Sequence, residues 1–580
     1  TWLDPSDLRI GLGCMRLSTD EDRDEMRALE TIAAAAEAGI TIFDTARAYA
    51  HDETELGHNE RLVARALRGS GAHQGARIVT KGGMTRVGCD WVPDGRAKTI
   101  RSDCEASLLA LGGLEIDLYL VHAPDPRTPW RTTARALGRL VDEGLVRHVG
   151  VANVNRAQLD EALELAPIAG VQVALSPGDD RALRGGVVER CTELEIALLA
   201  HSPLGGQRRA AGGLARNGAL AEIAAARRAT PAEIALAWLL TLSPVVVPIP
   251  GARRPDTARS AARAASLRLE DSDRAILGGA FGRSRPARVE RPRSTEQGEV
   301  LLVMGIPGAG KNRVAEEHVA QGYLRLNRDE RGGSLRALAG ELDAELAGGA
   351  RRVVLDNTYL TRAARSYVIE AAARHRISTR CIWLDTPLAQ AQVNIVERML
   401  ERFGSLPTPE ELRETARSEP GLLAPTSQMR ALRELEPPSA DEGFASVQHV
   451  PFVRLPRAGR TRTGVFVAAT ALEQSGWQRE LERRDGSARY LVFDWIPEGV
   501  ANDLADVASR LSSLVSGHVE AAHCSHGAGP PRCWCRPPLP GLPLAFAHAH
   551  GVDPARSLLI ETSLAHRTLA TTLDARYVAL

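Results

Sequence analysis

The first half of the chain alternates short, apolar, β-like runs with alanine-rich helical stretches over residues 8–277. The runs lie at residues 40–44, 78–81, 118–122, 146–151, 171–175, 196–201 and 245–250. Strand–helix alternation sustained over this length is typical of a (β/α)₈ barrel, in which each parallel strand is followed by a helix. The sequence therefore predicts an α/β multidomain protein whose residues 1–282 form a TIM barrel.

A phosphate-binding loop begins the second half of the chain. Residues 283–298 are predicted to form a linker, because this stretch is rich in Arg, Pro and Ser and lacks periodicity. An apolar run at 300–304 then leads into a G-x-x-x-x-G-K loop, in which main-chain N–H groups approach a phosphate and lysine adds positive charge. Its residues are Gly305, Gly308, Gly310 and Lys311. We expect residues 299–456 to form a parallel α/β sheet that binds ATP.

Asn312 departs from the usual loop pattern. A Ser or Thr normally follows the lysine and holds Mg²⁺ through its hydroxyl group. A carboxamide oxygen also ligates Mg²⁺, but it is carried on a longer side chain. The sequence leaves two alternatives, in which Asn312 binds Mg²⁺ directly or the ion is held mainly by water and the nucleotide phosphates.

Eight cysteines in 580 residues do not form the dense pattern of a disulfide framework. Four ligand-type residues crowd together instead, and their C-x-H and C-x-C spacing suits a closed, structural, tetrahedral Zn²⁺ site. They are Cys524, His526, Cys533 and Cys535. The formal net charge is +0, so any nucleic-acid contact must use a local basic patch. The chain has neither a signal-like start nor a membrane-length apolar run, so we expect a cytoplasmic protein without a membrane partner.

Four polar residues lie at or just beyond the C-terminal ends of predicted barrel strands, where such barrels carry their chemistry. They are Asp44 and Tyr49 in FDTARAYA, Lys81 in VTKGG and His122 in YLVHAPDP. With these motifs, residues 8–280 resemble the aldo-keto reductase family. The resemblance implies that Tyr49 donates a proton to the substrate carbonyl and that Lys81 lowers the pKa of Tyr49. Asp44 would hold Lys81, and His122 would orient the carbonyl oxygen.

The same resemblance implies NADPH as the cofactor. Asn153 and Gln172 match residues that bind the nicotinamide amide, and HSPLGG matches the pyrophosphate loop through Ser202, Leu204 and Gly205. An adenosine 2′-phosphate would be bound by arginines of PGARRPDTARS. These are Arg253, Arg254 and Arg259.

Three further motifs follow the phosphate loop in order. Asn-Arg-Asp ends at Asp329, Asp-Asn-Thr begins at Asp356, and a later helical pattern carries Arg398. Together they resemble the kinase domain of polynucleotide kinase-phosphatases. The resemblance implies that Asp329 is the general base toward a 5′-hydroxyl end of RNA or DNA, while Lys311 acts on the donor phosphates. A lid arginine, either Arg398 or Arg402, would clamp the same phosphates. Arg328 would lie near the acceptor, and the site would be lined by Asp356, Asn357 and Thr358.

Residues 457–580 resemble zinc-loop phosphatases of the haloacid dehalogenase superfamily, through CWCRPPLPG and GVFVAATAL. Ala468 and Thr470 stand at the two aspartate positions of that family, Pro537 replaces its lysine, and Glu561-Thr562 replaces its Gly-Asp pair. That chemistry needs a carboxylate nucleophile and carboxylate ligands for Mg²⁺. We expect a small, degenerate domain without phosphatase activity, which serves as a scaffold, an interface or an end-binding module.

The leading hypothesis is a bifunctional enzyme that reduces a small or nucleic-acid-borne carbonyl with NADPH and phosphorylates 5′-hydroxyl ends with ATP. A second hypothesis is that a small metabolite, such as a sugar, is both reduced and phosphorylated. A third makes the barrel a cofactor-sensing or structural module of a repair complex.

Overall fold

The computed structural model describes residues 2–3, 7–88, 90–206, 214, 216–281, 298–415, 421–454, 459–473, 477, 481, 488–498, 503–527, 531–561 and 563–579. The chain divides into two compact units, Thr1–Val289 and Glu290–Leu580. The predicted linker lies outside the described residues except for Gly298, and so does the predicted domain boundary at 456–457. No helix among the described residues has both the length and the apolar character needed to cross a membrane.

The first unit is built on eight parallel strands, in the order β1-β2-β3-β6-β7-β8-β9-β10, together with the antiparallel hairpin β4-β5. The strands are β1 Gly11–Gly13, β2 Ile42–Asp44, β3 Arg77–Gly82, β4 Met84–Val87, β5 Asp90–Pro93, β6 Leu118–Val121, β7 His148–Ala152, β8 Ile168–Ala174, β9 Ala197–His201 and β10 Val246–Pro248. The N–H group of Gly13 donates to the carbonyl oxygen of Pro250 over 3.0 Å, so the first and last strands nearly close the barrel. The TIM-barrel prediction is confirmed.

Capping residues and buried apolar faces explain why the helices on the outside of the barrel form. Asn155 and Thr230 each begin a capping box. The side chain of the capping residue accepts from the main-chain N–H of the residue three positions later, and the side chain of that residue accepts from the main-chain N–H of the capping residue. The helices are α1 Arg16–Thr19, α2 Glu25–Glu37, α3 His58–Gly69, α4 Ala97–Leu111, α5 Trp130–Asp142, α6 Arg156–Leu163, α7 Arg181–Arg184, α8 Val187–Glu193, α9 Gly218–Arg227, α10 Pro231–Leu242, α11 Pro255–Ala264 and α12 Asp271–Phe281. Their buried residues form one large apolar cluster with the outward-facing strand residues.

The second unit contains two parallel sheets. The first has the order β12-β13-β11-β14-β15, as expected for a sheet that carries a phosphate loop after its central strand. Its strands are β11 Glu299–Met304, β12 Leu324–Leu326, β13 Arg352–Asp356, β14 Ser378–Asp385 and β15 Ser446–Pro451. Its helices are α13 Lys311–Val319, α14 Arg328–Arg331, α15 Leu335–Ala347, α16 Arg362–Arg374, α17 Leu388–Phe403, α18 Pro409–Thr415 and α19 Pro425–Glu434.

The second sheet has the order β18-β17-β16-β19-β20, again with its first strand at the centre. Its elements are β16 Gly464–Ala468, β17 Arg489–Trp495, α20 Leu504–Ser512, β18 Val519–Cys524, α21 Gly541–His550, β19 Leu558–Ile560, α22 Leu564–Leu573 and β20 Arg576–Val578. One apolar cluster joins Met399 of α17 to Phe466 of β16 and Trp534. The buried Glu397 accepts two hydrogen bonds from Arg460, at 2.5 and 2.6 Å, so the two sheets share a core and an ion pair.

Candidate functional site

A buried lysine lies at the centre of the barrel's candidate active site. The Nζ of Lys81 lies 2.7 Å from a carboxylate oxygen of Asp44, 2.9 Å from the hydroxyl oxygen of Tyr49 and 2.9 Å from the carbonyl oxygen of Thr45. Lys81 is fully buried and Asp44 nearly so. Strands β2 and β3 supply the ion pair from adjacent C-terminal ends, so the structure brings together three of the residues singled out in the sequence.

Burial is the main influence on the pKa values of Lys81 and Tyr49. Desolvation lowers the pKa of Lys81, and the Asp44 carboxylate partly restores it. Desolvation also raises the pKa of Tyr49 well above its usual value, and the negative charge of Asp44 adds to the rise. The expected lowering of the Tyr49 pKa is therefore wrong for this structure, because burial and the Asp44 carboxylate raise it. Tyr49 keeps its proton at neutral pH.

His122 completes the predicted group of four residues. Its ring centre lies 5.6 Å from that of Tyr49, in an edge-to-face arrangement. Burial and the Lys81 cation lower the pKa of His122 well below its usual value, so the imidazole is neutral at neutral pH. Trp91, on the β4-β5 hairpin, lies 6.1 Å from Tyr49 and 5.8 Å from His122 between ring centres. The rings of Tyr49, His122 and Trp91 thus pack against one another in edge-to-face arrangements.

A cleft of about 270 Å³ begins at these residues. Its lining contains most of the predicted cofactor residues near the reacting centre, namely Asn153, Gln172, Ser202 and Leu204. The amide nitrogen of Gln172 donates to Asp44 over 2.7 Å, so the amide also positions the carboxylate that holds Lys81. The amide of Asn153 donates to the carbonyl oxygen of His122 over 2.9 Å and contacts a ring nitrogen of His201 at 3.0 Å.

The predicted pyrophosphate loop has a distinctive backbone. Ser202 is a non-glycine residue of this loop with a φ of 51°, and Gly205 has a φ of 95°. Asn153, which lies outside the loop and follows β7, has a φ of 56°. Non-glycine residues in this left-handed region are uncommon and concentrate at functional sites. The loop follows β9 directly, so its N–H groups lie at the same end of the barrel as Tyr49.

The three arginines proposed for the 2′-phosphate differ in their surroundings. Arg253 pairs with Asp20 at 3.2 Å and Asp22 at 2.8 Å, while Arg259 lies 3.5 Å from both Glu37 and Asp256. Arg254 is an exposed residue immediately before α11. A phosphate must therefore compete with carboxylates for Arg253 and Arg259, whereas Arg254 has no ion pair among the described residues.

Sequence reasoning missed several residues of the cleft. Gly13 lines it from the end of β1, Met15 and Arg16 line it from the segment that follows, and His201 lines it from the end of β9. His201 ends a predicted strand, but β1 was not among the predicted strands, so no signal in the sequence marked the three residues at its end. Trp91 packs against Tyr49 and His122 but is not among the residues that line the cleft. It was missed because the hairpin between β3 and α4 interrupts the strand–helix alternation.

The predicted phosphate loop connects β11 to α13. Lys311 Nζ donates to the carbonyl oxygens of Gly305 and Ile306, both at 3.0 Å. Gly308 has a φ of 86°, and a Cβ there would collide with the carbonyl oxygen of Ala391 on α17. The Asn394 amide donates to the Gly308 carbonyl oxygen over 2.8 Å. Helix α17 thus fixes the loop from the outside.

Two carboxylates and one guanidinium group influence the pKa of Lys311. Burial lowers the pKa of Lys311 to about 8, the negative charges of Asp356 and Asp329 oppose the shift, and the positive charge of Arg398 adds to it. The Asn327 side chain joins these parts, because it accepts from the N–H of Asp329 at 2.7 Å and donates to the carbonyl oxygen of Asp356 at 2.8 Å. The structure therefore places the predicted general base, lysine and clamp arginine in one region.

The rest of the predicted substrate-binding residues have varied environments. Arg328 is half-buried and lies 3.3 Å from Asp329. The buried Asp356 carboxylate accepts two hydrogen bonds from Arg325, at 2.9 and 2.6 Å, a pairing that the sequence did not indicate. Asn357 is buried, and its Nδ2 has no partner within the described residues. The carbonyl oxygen of Thr358 accepts from Gly305, so it supports the loop. Asn312 lies in the first turn of α13, next to Lys311.

The four predicted zinc ligands converge in the second unit. Their ligand atoms all lie within 4.8 Å of one another. The Nδ1 of His526 lies 3.5 Å from the Cys524 sulfur and 3.3 Å from the Cys535 sulfur, while Cys524 and Cys533 are 3.7 Å apart. Three sulfurs and one imidazole nitrogen at these separations fit the donor set of tetrahedral Zn²⁺.

The two positions that the sequence resemblance compares with phosphatase aspartates carry no carboxylate. Ala468 ends β16, and the Thr470 hydroxyl group donates to Glu561 over 2.7 Å. Glu561 is buried and lies 3.5 Å from His566. Thr562, the second residue of the Gly-Asp replacement, lies outside the described residues.

Comparison with known proteins identifies the first unit. Residues 9–279 match the Aldo/keto reductase family, and residues 300–419 match an AAA domain. An uncharacterized oxidoreductase of Schizosaccharomyces pombe is 31% identical over 267 residues, which cover 45% of this chain and 82% of that protein. A probable aldo-keto reductase of Glycine max is 31% identical over 293 residues, which cover 46% of this chain and 83% of that protein.

Among solved structures, an aldo-keto reductase from Klebsiella pneumoniae in complex with NADPH is 26% identical, with a TM-score of 0.41. The match covers 47% of this chain and 91% of that chain. From the two curated relatives, the chain belongs to the aldo/keto reductase family through its first unit. It is an oxidoreductase that carries a P-loop domain of AAA type in its second unit.

Proposed function

We propose that the barrel reduces a carbonyl compound with NADPH. The observation that carries this proposal is the contact of one buried cation, Lys81, with both Asp44 and the Tyr49 hydroxyl group. A protonated phenol held in this way at the mouth of a cleft is suited to protonate an alkoxide as it forms. The lowered pKa of His122 keeps its imidazole neutral, so it is suited to donate a hydrogen bond to the carbonyl oxygen.

The cleft residues suit the proposed cofactor. When bound, NADPH supplies the hydride that the carbonyl carbon accepts. Gln172 and Asn153 would hold the nicotinamide amide, and the backbone after β9, at Ser202, Leu204 and Gly205, would hold the pyrophosphate. Arg253, Arg254 and Arg259 would bind the 2′-phosphate as bidentate donors.

Tyr49→Phe tests the reductase proposal. The variant should lose roughly 10²–10⁴-fold in kcat for aldehyde reduction, because it lacks the proton donor while keeping the ring and the 2.7 Å Lys81–Asp44 pair. Tyr119→Phe is the matched control, since that buried hydroxyl group donates to Ile100 instead. Reduction by Tyr49→Phe at the rate of the native protein would exclude Tyr49 as the acid.

We also propose that the second unit phosphorylates 5′-hydroxyl ends of RNA or DNA with ATP. The supporting observation is that the Asn327 side chain bonds both the N–H of Asp329 and the carbonyl oxygen of Asp356. Both carboxylates oppose the lowering of the Lys311 pKa, and Arg398 adds to it. Asp329 would take the proton of the attacking hydroxyl group, and Lys311 would neutralise charge on the donor phosphates. Bound Mg²⁺ would neutralise further phosphate charge, with Asn312 or water as its ligand on the protein side.

Labelled ATP and a 5′-hydroxyl oligonucleotide test the kinase proposal. Asp329→Ala should abolish transfer to the strand, whereas Asp343→Ala, which removes a half-buried carboxylate paired with Arg374 and His375, should leave transfer unchanged. A parallel reaction with a small sugar tests the alternative acceptor. Transfer to the sugar and none to the strand would overturn the polynucleotide proposal.

We infer that the last sheet is a zinc-stabilised scaffold without phosphatase activity. The convergence of Cys524, His526, Cys533 and Cys535 supports a closed structural site. The placement of Ala468 and Thr470 removes the carboxylates that phosphatase chemistry of this kind needs.

A further inference from the structure

A buried arginine on the β4-β5 hairpin has no role in the proposed reaction. Arg86 stands directly opposite Trp91 in the antiparallel register. Cross-strand partners of this kind share one face of a hairpin. The guanidinium carbon of Arg86 lies 4.2 Å from the centre of the Trp91 ring, which is cation–π geometry. The hairpin therefore holds a positive charge against an indole ring.

Two contacts connect Arg86 to the surroundings of Tyr49, one through Trp91 and one through His51. The Trp91 ring packs against both Tyr49 and His122, at 6.1 and 5.8 Å between ring centres. One terminal nitrogen of Arg86 donates to the carbonyl oxygen of His51 over 3.0 Å, two residues beyond Tyr49. Arg86 is therefore fixed beside the residues that are proposed to contact the substrate carbonyl.

The guanidinium group has unused hydrogen-bonding capacity. Arg86 is only 6% exposed, and its Nε and second terminal nitrogen are buried without an acceptor in the part of the chain that the structure describes. Buried donors in folded proteins are nearly always bonded, and a buried cation needs an anion or several acceptors. The two free N–H donors belong to a guanidinium cation, so an anionic oxygen acceptor would satisfy them best.

We propose that Arg86 binds a carboxylate group of the substrate and so selects carbonyl compounds that carry one. This inference rests on the proposed carbonyl reduction, and it adds the chemical class of the substrate. Trp91, which is 40% exposed, would form the apolar spacer between the carboxylate and the reacting carbonyl. The hairpin thus acts as a specificity element, while Tyr49 and Lys81 perform the proton transfer.

The test compares 4-carboxybenzaldehyde with benzaldehyde as substrates, and it measures benzoate binding by calorimetry with the full chain. Arg86→Met removes the charge while keeping a long apolar side chain against Trp91, and Arg86→Lys keeps the charge. Arg96→Met is the matched control, because that arginine is exposed and already paired with Asp94 on the neighbouring loop.

Arg86→Met should weaken benzoate binding roughly 10- to 100-fold, as expected for loss of charged hydrogen bonds. Its kcat/KM should fall by a similar factor for 4-carboxybenzaldehyde, through KM, and change little for benzaldehyde. Arg86→Lys should be intermediate, and Arg96→Met should match the native protein.

Native-strength benzoate binding by Arg86→Met would overturn the proposal, as would failure of the native protein to bind benzoate. Equal losses for the two aldehydes would assign Arg86 a structural role instead. If the native protein binds benzoate through Arg86 but reduces neither aldehyde, the carbonyl reductase proposal fails and the carboxylate site stands.

Discussion

We expect the Asp44→Asn variant to lose stability, because it breaks the buried Asp44–Lys81 ion pair. Both side chains are buried, at 4% and 0% exposure, and the carboxylate is the main influence that keeps the pKa of Lys81 from falling further. The variant leaves an unpaired ammonium group in a site that solvates it poorly. Removing one partner of a buried pair costs about 3–5 kcal/mol of unfolding free energy. For a unit of this size, the cost corresponds to a fall of roughly 6–20 °C in Tm.

The pKa of Lys81 determines how the stability lost in Asp44→Asn changes with pH. In the variant, the folded-state pKa of Lys81 falls below that of the native protein, while the unfolded chain keeps its ordinary value of about 10.4. Between these values the unfolded chain binds more protons, so stability rises with pH by up to about 1.4 kcal/mol per pH unit. The rise begins at a lower pH in Asp44→Asn than in the native protein. The deficit of the variant should therefore shrink as the pH is raised.

Thermal unfolding followed by circular dichroism at several pH values measures both quantities. Glu143→Gln is the control, since it breaks the exposed Arg101–Glu143 pair and should leave the Tm unchanged. A Tm of Asp44→Asn equal to that of the native protein, or a deficit independent of pH, would refute the assignment of Lys81 as a buried cation held by Asp44.

Three further predictions concern the other proposed sites. Arg254→Gln should raise the KM for NADPH about tenfold and leave that for NADH unchanged, since only NADPH carries a 2′-phosphate; equal changes in steady-state assays with the two cofactors would contradict this. Lys311→Met should abolish ATP binding measured by calorimetry, and retained binding would remove Lys311 from the phosphate site. Cys533→Ser should lower both the zinc content measured by elemental analysis and the Tm of the second unit. Cys381→Ser is the control, because this buried cysteine lies outside the cluster and its loss should leave the zinc content unchanged. Unchanged zinc in Cys533→Ser would count against the site.

Much of the barrel could be predicted from the chain alone, because its signals are local. Strands β6 and β8 read as apolar runs bounded by polar residues, and capping residues such as Asn155 and Thr230 mark helix starts. Since parallel strands end on one side of a sheet, placing Lys81 and Asp44 at strand ends was enough to predict that they meet. The phosphate loop was likewise readable, because its glycines and Lys311 are adjacent in sequence.

The tertiary structure decided the electrostatics. The sequence placed a cation beside Tyr49 but could not show how deeply the group is buried, and burial reverses the expected direction of the Tyr49 pKa shift. It also decided pairings between distant segments, such as Arg325 with Asp356 and Arg86 against Trp91. Residue type and spacing thus determined which chemical groups the protein has. Their protonation and free hydrogen-bonding capacity depend on solvent exclusion and on charges from remote parts of the chain, and only the folded structure sets those.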